Sequence, residues 1–321
     1  MDKKTIGMVS WYRGLKQCDW LWKQTPHPFG VWGNIQLIAP APKPDFLLMY
    51  QYQFPTPAKR KMPNWVPRLG RKGRGSDQVP AKVFRDVPRE RVIFQMREPP
   101  LEELINKYTL QYQLADRHCG YVTGPDDVAP VPGYMPAIWY VDTSFRDLDQ
   151  GPVPEKTKAC SWVTSGVNRT ENHRKRLAFL RQTKEICPNI DIYGRGLPDW
   201  AQGVGELQNK WHAMSPYHYN LAIENYADNA WYVSEKLWDS LLSWCLPIYY
   251  GGPAADKLLP PESYLRLPSM DEKGLAYVQD VISSPDAWYE RKDAIAEARQ
   301  IILHKLNLLN WLSDYVAEFE A

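Results

Sequence analysis

Residues 219–253 read YNLAIENYADNAWYVSEKLWDSLLSWCLPIYYGGP. A short apolar run, Tyr219 to Ile223, leads into Glu224-Asn225 and predicts a strand that ends in polar residues. After a polar turn, Tyr232-Val233-Ser234-Glu235-Lys236 opens an amphipathic helix. A second apolar run, Pro247 to Tyr250, closes on Gly251-Gly252-Pro253. This is one β-α-β unit with its polar residues gathered where strand meets helix. In open α/β sheets that crevice, outside the carboxyl ends of parallel strands, is where nucleotides bind.

The same alternation extends outward. Strands are expected at Thr5–Ser10, Asp45–Tyr50, Arg91–Met96, Ala159–Thr164 and Ile190–Tyr193, with a helix over Asn172–Thr183. Strands alternating with helices predict parallel sheets. Proline-rich stretches at Ala39–Pro44 and Phe54–Pro67 read as loops, because proline fixes φ and removes a donor. The polar stretch 141–160 reads as an inter-domain linker, and Asp286–Phe319 as a helix in one or two pieces. The expected division is an N-terminal α/β domain over 1–155, a nucleotide-binding α/β domain over 156–298 and a C-terminal helix over 299–321.

At 321 residues the chain has length for two cores. Its formal charge, 39 − 37 = +2, gives no argument for nucleic acid as a partner. Five scattered cysteines without a C-x-x-C pair argue against a disulfide framework and a zinc site, and favour a reducing compartment. The first 30 residues hold no long apolar run. Lys59 to Arg74 carries seven basic residues and no acidic one. It reads as a solvated loop, as a contact for anionic lipid headgroups or a phosphorylated glycan, or thirdly for nucleic acid, though no binding module accompanies it. Fourteen tryptophans and 19 tyrosines are mostly core rings, though flat aromatic faces also pack on sugars.

Three places carry the chemistry. Ser234, Glu235 and Lys236 lie at a helix start, whose free N–H groups and partial positive charge suit a diphosphate. Glu235 can accept sugar or ribose hydroxyls, and Tyr232 can stack on a base or donate to a phosphate. Upstream, Thr164-Ser165-Gly166-Val167-Asn168 precedes Arg174, Lys175, Arg176 and Phe179. Met96-Arg97-Glu98-Pro99-Pro100 closes an apolar strand. Asp147-Leu148-Asp149 is a D-x-D string in the polar stretch and reads as chance. The six histidines show no metal-ligand spacing. His218, just before the 219–223 strand, is placed for a contact there.

The spacing from Glu224-Asn225 through Tyr232-x-x-Glu235-Lys236 to Pro247 and Gly251-Gly252-Pro253 resembles the donor-binding motif of the α-1,3-fucosyltransferases, glycosyltransferase family 10. The resemblance is closest over 160–270. It implies two Rossmann-like domains facing across a cleft, the GT-B architecture, and GDP-fucose as donor to a glycan acceptor. Donor-binding roles are implied for Arg176, with Arg174 in reserve, and for Glu224, Asn225, Tyr232, Ser234, Glu235 and Lys236. Tyr193-Gly194-Arg195-Gly196 resembles a strand-end turn of the family and is expected to be mostly structural. Glu98 matches the proposed catalytic base, with Glu102 and Glu103 as rivals; such a base is worth about 10²–10⁴ in rate. The family's reaction inverts the anomeric centre and requires no metal, with manganese or magnesium at most a non-specific stimulant. Eukaryotic members carry an N-terminal anchor, so the start of this sequence suggests a bacterial-type cytoplasmic enzyme, peripheral at the inner membrane face, or a chain trimmed of its anchor.

The sequence departs from the family at Tyr226, where a small residue is usual, and at Ala222-Ile223, where an aromatic often precedes Glu-Asn. Trp231 and Trp238 are bulky additions expected to narrow the sugar pocket. Another GDP-sugar donor, or a non-catalytic glycan- or nucleotide-binding role, is the alternative reading.

Overall fold

Apolar runs buried on both faces make the strands; in Phe46–Tyr50 all five residues are inside. The computed structural model describes residues 3–12, 19–56 and 80–321, so the basic run at 59–74 lies outside the described residues. One sheet holds β1 (Lys4–Ser10), β2 (Val31–Trp32), β3 (Ile35–Leu37), β4 (Phe46–Tyr50), β5 (Val92–Gln95), β6 (Tyr121–Gly124) and β7 (Val131–Pro132). Their order is β2-β3-β1-β4-β5-β6-β7, parallel except for β2 against β3. The other sheet holds β8 (Lys158–Ser165), β9 (Ile190–Arg195), β10 (Tyr217–Ile223), β11 (Leu246–Tyr250) and β12 (Leu265–Arg266), in the order β12-β11-β10-β8-β9, all parallel.

The helices are α1 (Asp19–Trp22), α2 (Ile105–His118), α3 (Phe145–Gln150), α4 (Glu171–Ile186), α5 (Trp211–Met214), α6 (Glu235–Leu242), α7 (Ala254–Leu258), α8 (Glu272–Val281), α9 (Asp286–Glu290), α10 (Lys292–Gln300) and α11 (Leu308–Glu320). Each sheet starts in its middle and grows first to one side, then to the other. The order reverses between β1 and β4 in the first sheet and between β8 and β10 in the second. Such reversal points open the crevices in which α/β sheets bind ligands.

Hydrogen bonds across the two halves show which ends of the sheets meet. Glu103, beyond β5, accepts from the Glu171 N–H, beyond β8, at 3.0 Å. Asn229, beyond β10, donates to the Pro125 carbonyl, beyond β6, at 2.7 Å. The indole of Trp231 donates to Asp127 at 2.7 Å. All of these residues follow the carboxyl ends of their strands, so the carboxyl ends of the two sheets face one another. The fold is two Rossmann-like α/β units in the GT-B arrangement.

The stretch 141–160 is not a bare linker. It contains α3, capped by Ser144, whose hydroxyl accepts from the Asp147 N–H at 3.1 Å. Phe145 and Leu148, three residues apart, bury one face of it. Two apolar anchors in a polar segment hold a short helix that composition alone conceals. The C-terminal helical stretch breaks at Arg291 and again at Leu306-Asn307, after a wide turn over Ile301–Lys305. Buried Asn307 caps α11 through the Leu309 N–H and donates to the Gln24 and Leu303 carbonyls. The chain then returns to the first sheet. Ser313 donates to Asn34 at 2.7 Å, Trp32 to Asn310 at 3.1 Å, and Lys4 pairs with Glu320 at 2.8 Å. Among the described residues no helix is long and apolar enough to cross a membrane.

Candidate active site

The second sheet's reversal point opens into a cleft of about 630 Å³. Its walls are the carboxyl ends of β8 (Thr164, Ser165), β9 (Gly194, Arg195) and β10 (Ile223, with Asn225 just beyond), together with the start of α6. Gly194 is required there. Its φ is +146°, and a Cβ would lie 1.7 Å from the Thr164 carbonyl oxygen. Gly166 is equally constrained, with a Cβ 1.6 Å from the Gly196 oxygen. The two strand-end turns touch backbone to backbone, which is what opens the space beside them.

Four of the seven expected donor-binding residues line this cleft: Arg176, Asn225, Glu235 and Lys236. Arg176 projects inward from α4, while Arg174 and Lys175 are exposed. Arg176 donates to Asn225 Oδ1 at 2.5 Å and to the Ser165 carbonyl at 3.0 Å. Asn172, one turn earlier, donates to the Asn225 carbonyl at 3.0 Å. Burial pushes the guanidinium pKa down. Its Nε has no partner, and among the described residues no carboxylate pairs with it. It is a buried cation with room for an anion.

The other three sit behind the wall. Glu224 is 1 % exposed, and both its oxygens are taken by Ser234, from the N–H at 2.8 Å and from the hydroxyl at 2.6 Å. Ser234 caps α6, and Tyr232 is buried edge-on to Tyr226 at 6.4 Å. These residues shape the start of the helix rather than the surface a ligand meets.

Lys236 is held between Glu224 and Glu235, each at 3.4 Å. Burial works against its charge, but the two carboxylates more than offset this and raise its pKa. Burial also opposes the Glu235 charge. Lys236, Lys210 and Arg97 outweigh it and hold that carboxyl down at about 2. Burial raises the Glu224 pKa, with Lys236 pulling the other way.

Sequence reasoning missed Lys210, Asp239, Tyr140 and Arg97. Asp239, fully buried on α6, accepts from Lys210 Nζ and from the Tyr140 backbone N–H, both at 2.7 Å. It ties the segment around Tyr140 to α6. Arg97 stacks 5.3 Å over Tyr50 and donates to the Pro136 carbonyl at 2.7 Å. An acid between Trp238 and Ser240 in α6, and an arginine beside the candidate base, were the available signals.

Glu98 lies three residues beyond β5, half-buried, at the first sheet's carboxyl end. Tyr12, two residues beyond β1, donates to it at 2.5 Å. Burial raises the Tyr140 hydroxyl pKa, and the charges of Glu235 and Glu98 push it the same way while Arg97 opposes them. Of the rivals, Glu103 is committed to the Glu171 N–H.

The expectations for Trp238 and His218 change. Trp238 is wholly buried in the core and narrows no pocket, while Trp231 packs on Tyr134 at 5.2 Å and bonds Asp127. His218 sits at the amino end of β10, far from the cleft, and binds the Lys158 carbonyl. The D-x-D string lies on α3. There Asp147 accepts from the Ser144 hydroxyl and Asp149 contacts Gln300 and His304. Among the described residues no group of His, Cys, Asp and Glu could hold a metal.

Residues 153–291 match the family described as Glycosyltransferase family 10 (fucosyltransferase) C-term. An α-(1,4)-fucosyltransferase of Arabidopsis thaliana is 39 % identical over 65 % of this chain and 56 % of its own length. α-(1,3)-Fucosyltransferase C of Drosophila melanogaster is 29 % identical over 64 % of this chain and 52 % of its own. The match thus spans little more than half the length of these relatives. Among solved structures, an α-glucosyltransferase in complex with UDP and DNA superposes over the whole of both chains, with a TM-score of 0.55 at 10 % identity, a likeness of fold. Residues 153–291, the part that carries the β8–β11 cleft and its α6 helix start, are thus similar to the C-terminal part of glycosyltransferase family 10, the fucosyltransferase family.

Proposed function

We propose that the chain transfers fucose from GDP-fucose to a hydroxyl of a glycan acceptor, with inversion at the anomeric carbon. The observation that carries this reading is Arg176. It is a buried guanidinium with no carboxylate partner among the described residues, at a sheet reversal point beside the start of α6. A guanidinium fork holds two oxygens of a diphosphate, and the helix start adds its own N–H groups. The relatives' names supply fucose; the resemblance to their donor motif supplies the GDP.

In this reading residues 156–298 hold the donor and residues 1–155 present the acceptor. Glu98, oriented by Tyr12, takes the proton of the attacking hydroxyl. The new bond to the anomeric carbon forms as the bond to the diphosphate oxygen breaks, and GDP leaves with that electron pair. Arg176, Lys236 and the helix start are aimed at the charge that develops there. Because these groups supply positive charge, we read the reaction as independent of a metal. The four described cysteines are free and buried, which supports a reducing, cytoplasmic location. A peripheral membrane contact through 59–74 belongs to the same reading.

The test is Glu98→Gln. Transfer should be lost while GDP-fucose affinity holds. Transfer kept within a few-fold, or donor binding lost, removes Glu98 from this role.

A further inference from the structure

A second cavity, of about 250 Å³, lies where the chain crosses back to the first sheet. It has walls from β5 and β6, from the crossing segment that follows, and from the turn before α11. Its volume is roughly eight times the ~30 Å³ share of one liquid water, so it is too large to be explained by a single bridging water. It is also below the usual range of drug-sized pockets, about 300–1,000 Å³.

Gln95, 1 % exposed, lines it, and its Oε1 has no hydrogen-bond partner. A buried amide oxygen left unmet costs about 1–3 kcal/mol, so a donor from a ligand would be favoured there. Three aromatic residues, Tyr121, Tyr134 and Trp311, stand in the wall. Gly133 leaves the space open, because a Cβ at that position would meet only the Thr123 hydroxyl, at 3.3 Å. Lys305, exposed, is the sole charged residue in the lining among the described residues. An orphan acceptor, several aromatic rings and one ammonium form a wall that suits a pyranose, which has hydroxyl donors around its rim and C–H faces.

We propose that this cavity binds one pyranose unit of the acceptor glycan. The proposal rests on the glycosyltransferase reading above. Gln95 and Glu98 are three residues apart, so they are separated by at most about 11 Å. The cavity wall and Glu98 thus belong to the same strand exit. Tyr134 also packs on Trp231, in the loop that follows Asn225, so the cavity touches the donor-side segment.

The experiment is saturation-transfer NMR on the whole chain with the methyl β-glycosides of glucose, galactose and N-acetylglucosamine, with and without saturating GDP. At least one glycoside should show transfer that persists in GDP. Gln95→Leu should weaken it about five-fold, the equivalent of one lost hydrogen bond, and Gly133→Leu should abolish it by filling the space. If Gly133→Leu fails to fold, Lys305→Ala, at an exposed position, should weaken the signal instead. No transfer from any glycoside, displacement by GDP, or indifference to the variants would overturn the proposal. GDP's own signal in the same samples reports separately on the donor cleft: its absence counts against the GDP-donor reading, while the glycoside signals still judge the cavity.

Discussion

Replacing Glu224 separates a ligand contact from a structural support. Its two oxygens accept from the Ser234 N–H and hydroxyl, and it stands 3.4 Å from Lys236. In Glu224→Ala both Ser234 donors lose their acceptor inside the protein. Each such orphan costs about 1–3 kcal/mol, and breaking a buried pair from one side costs about 3–5 kcal/mol. Lys236 keeps Glu235 and is about one-fifth exposed, so the lower end applies, about 3 kcal/mol. At about 2–4 °C per kcal/mol for a unit of this size, the melting temperature should fall by about 6–12 °C. Glu224→Gln keeps a carbonyl oxygen for the Ser234 N–H and should cost only about 1 kcal/mol. Calorimetric melting of the two variants beside the wild type reads both values. A Glu224→Ala protein that melts within about 2 °C of wild type yet no longer binds GDP would refute this reasoning and return Glu224 to the ligand-binding surface.

Three further outcomes are expected. Arg176→Lys replaces a two-pronged donor by a point charge and should weaken GDP about 10–100-fold in titration calorimetry; unchanged affinity would put the diphosphate elsewhere. Gly194→Ala forces a Cβ against the Thr164 carbonyl at φ +146° and should cost more than about 2 kcal/mol by urea unfolding, with a loss below about 0.5 kcal/mol showing that the turn relaxes. The Glu235 carboxyl, held at about 2 against an ordinary 4.5, contributes stability that is present above 4.5 and is lost as pH falls toward 2. Glu235→Gln should therefore flatten the acid limb of a stability–pH profile across that window, and an unaltered limb would contradict the assignment.

The donor-side β-α-β unit was legible because both its apolar runs and its polar junction are contiguous in sequence. Arg176 was separable from Arg174 and Lys175 by its spacing to Phe179, which is buried on the same helix face. What stayed hidden was three-dimensional. Glu224, Tyr232 and Ser234 share a motif with Glu235 and Lys236, but a motif does not say which members face the ligand and which hold the others. Lys210, Asp239 and Tyr140 lie 29 to 99 residues apart and meet only through folding. The same holds for Tyr12 with Glu98, 86 residues apart. The helix α3 was lost in a polar stretch because two buried side chains suffice to anchor it. The return of α11 to the first sheet left no local mark beyond Asn307.

The most direct test of the account is calorimetric titration of the chain with GDP-fucose, GDP-mannose and UDP-galactose. The cleft described here should take GDP-fucose in preference to both others, with the Arg176 and Lys236 variants losing that heat. No binding of either GDP-sugar, or equal binding of UDP-galactose, would contradict it.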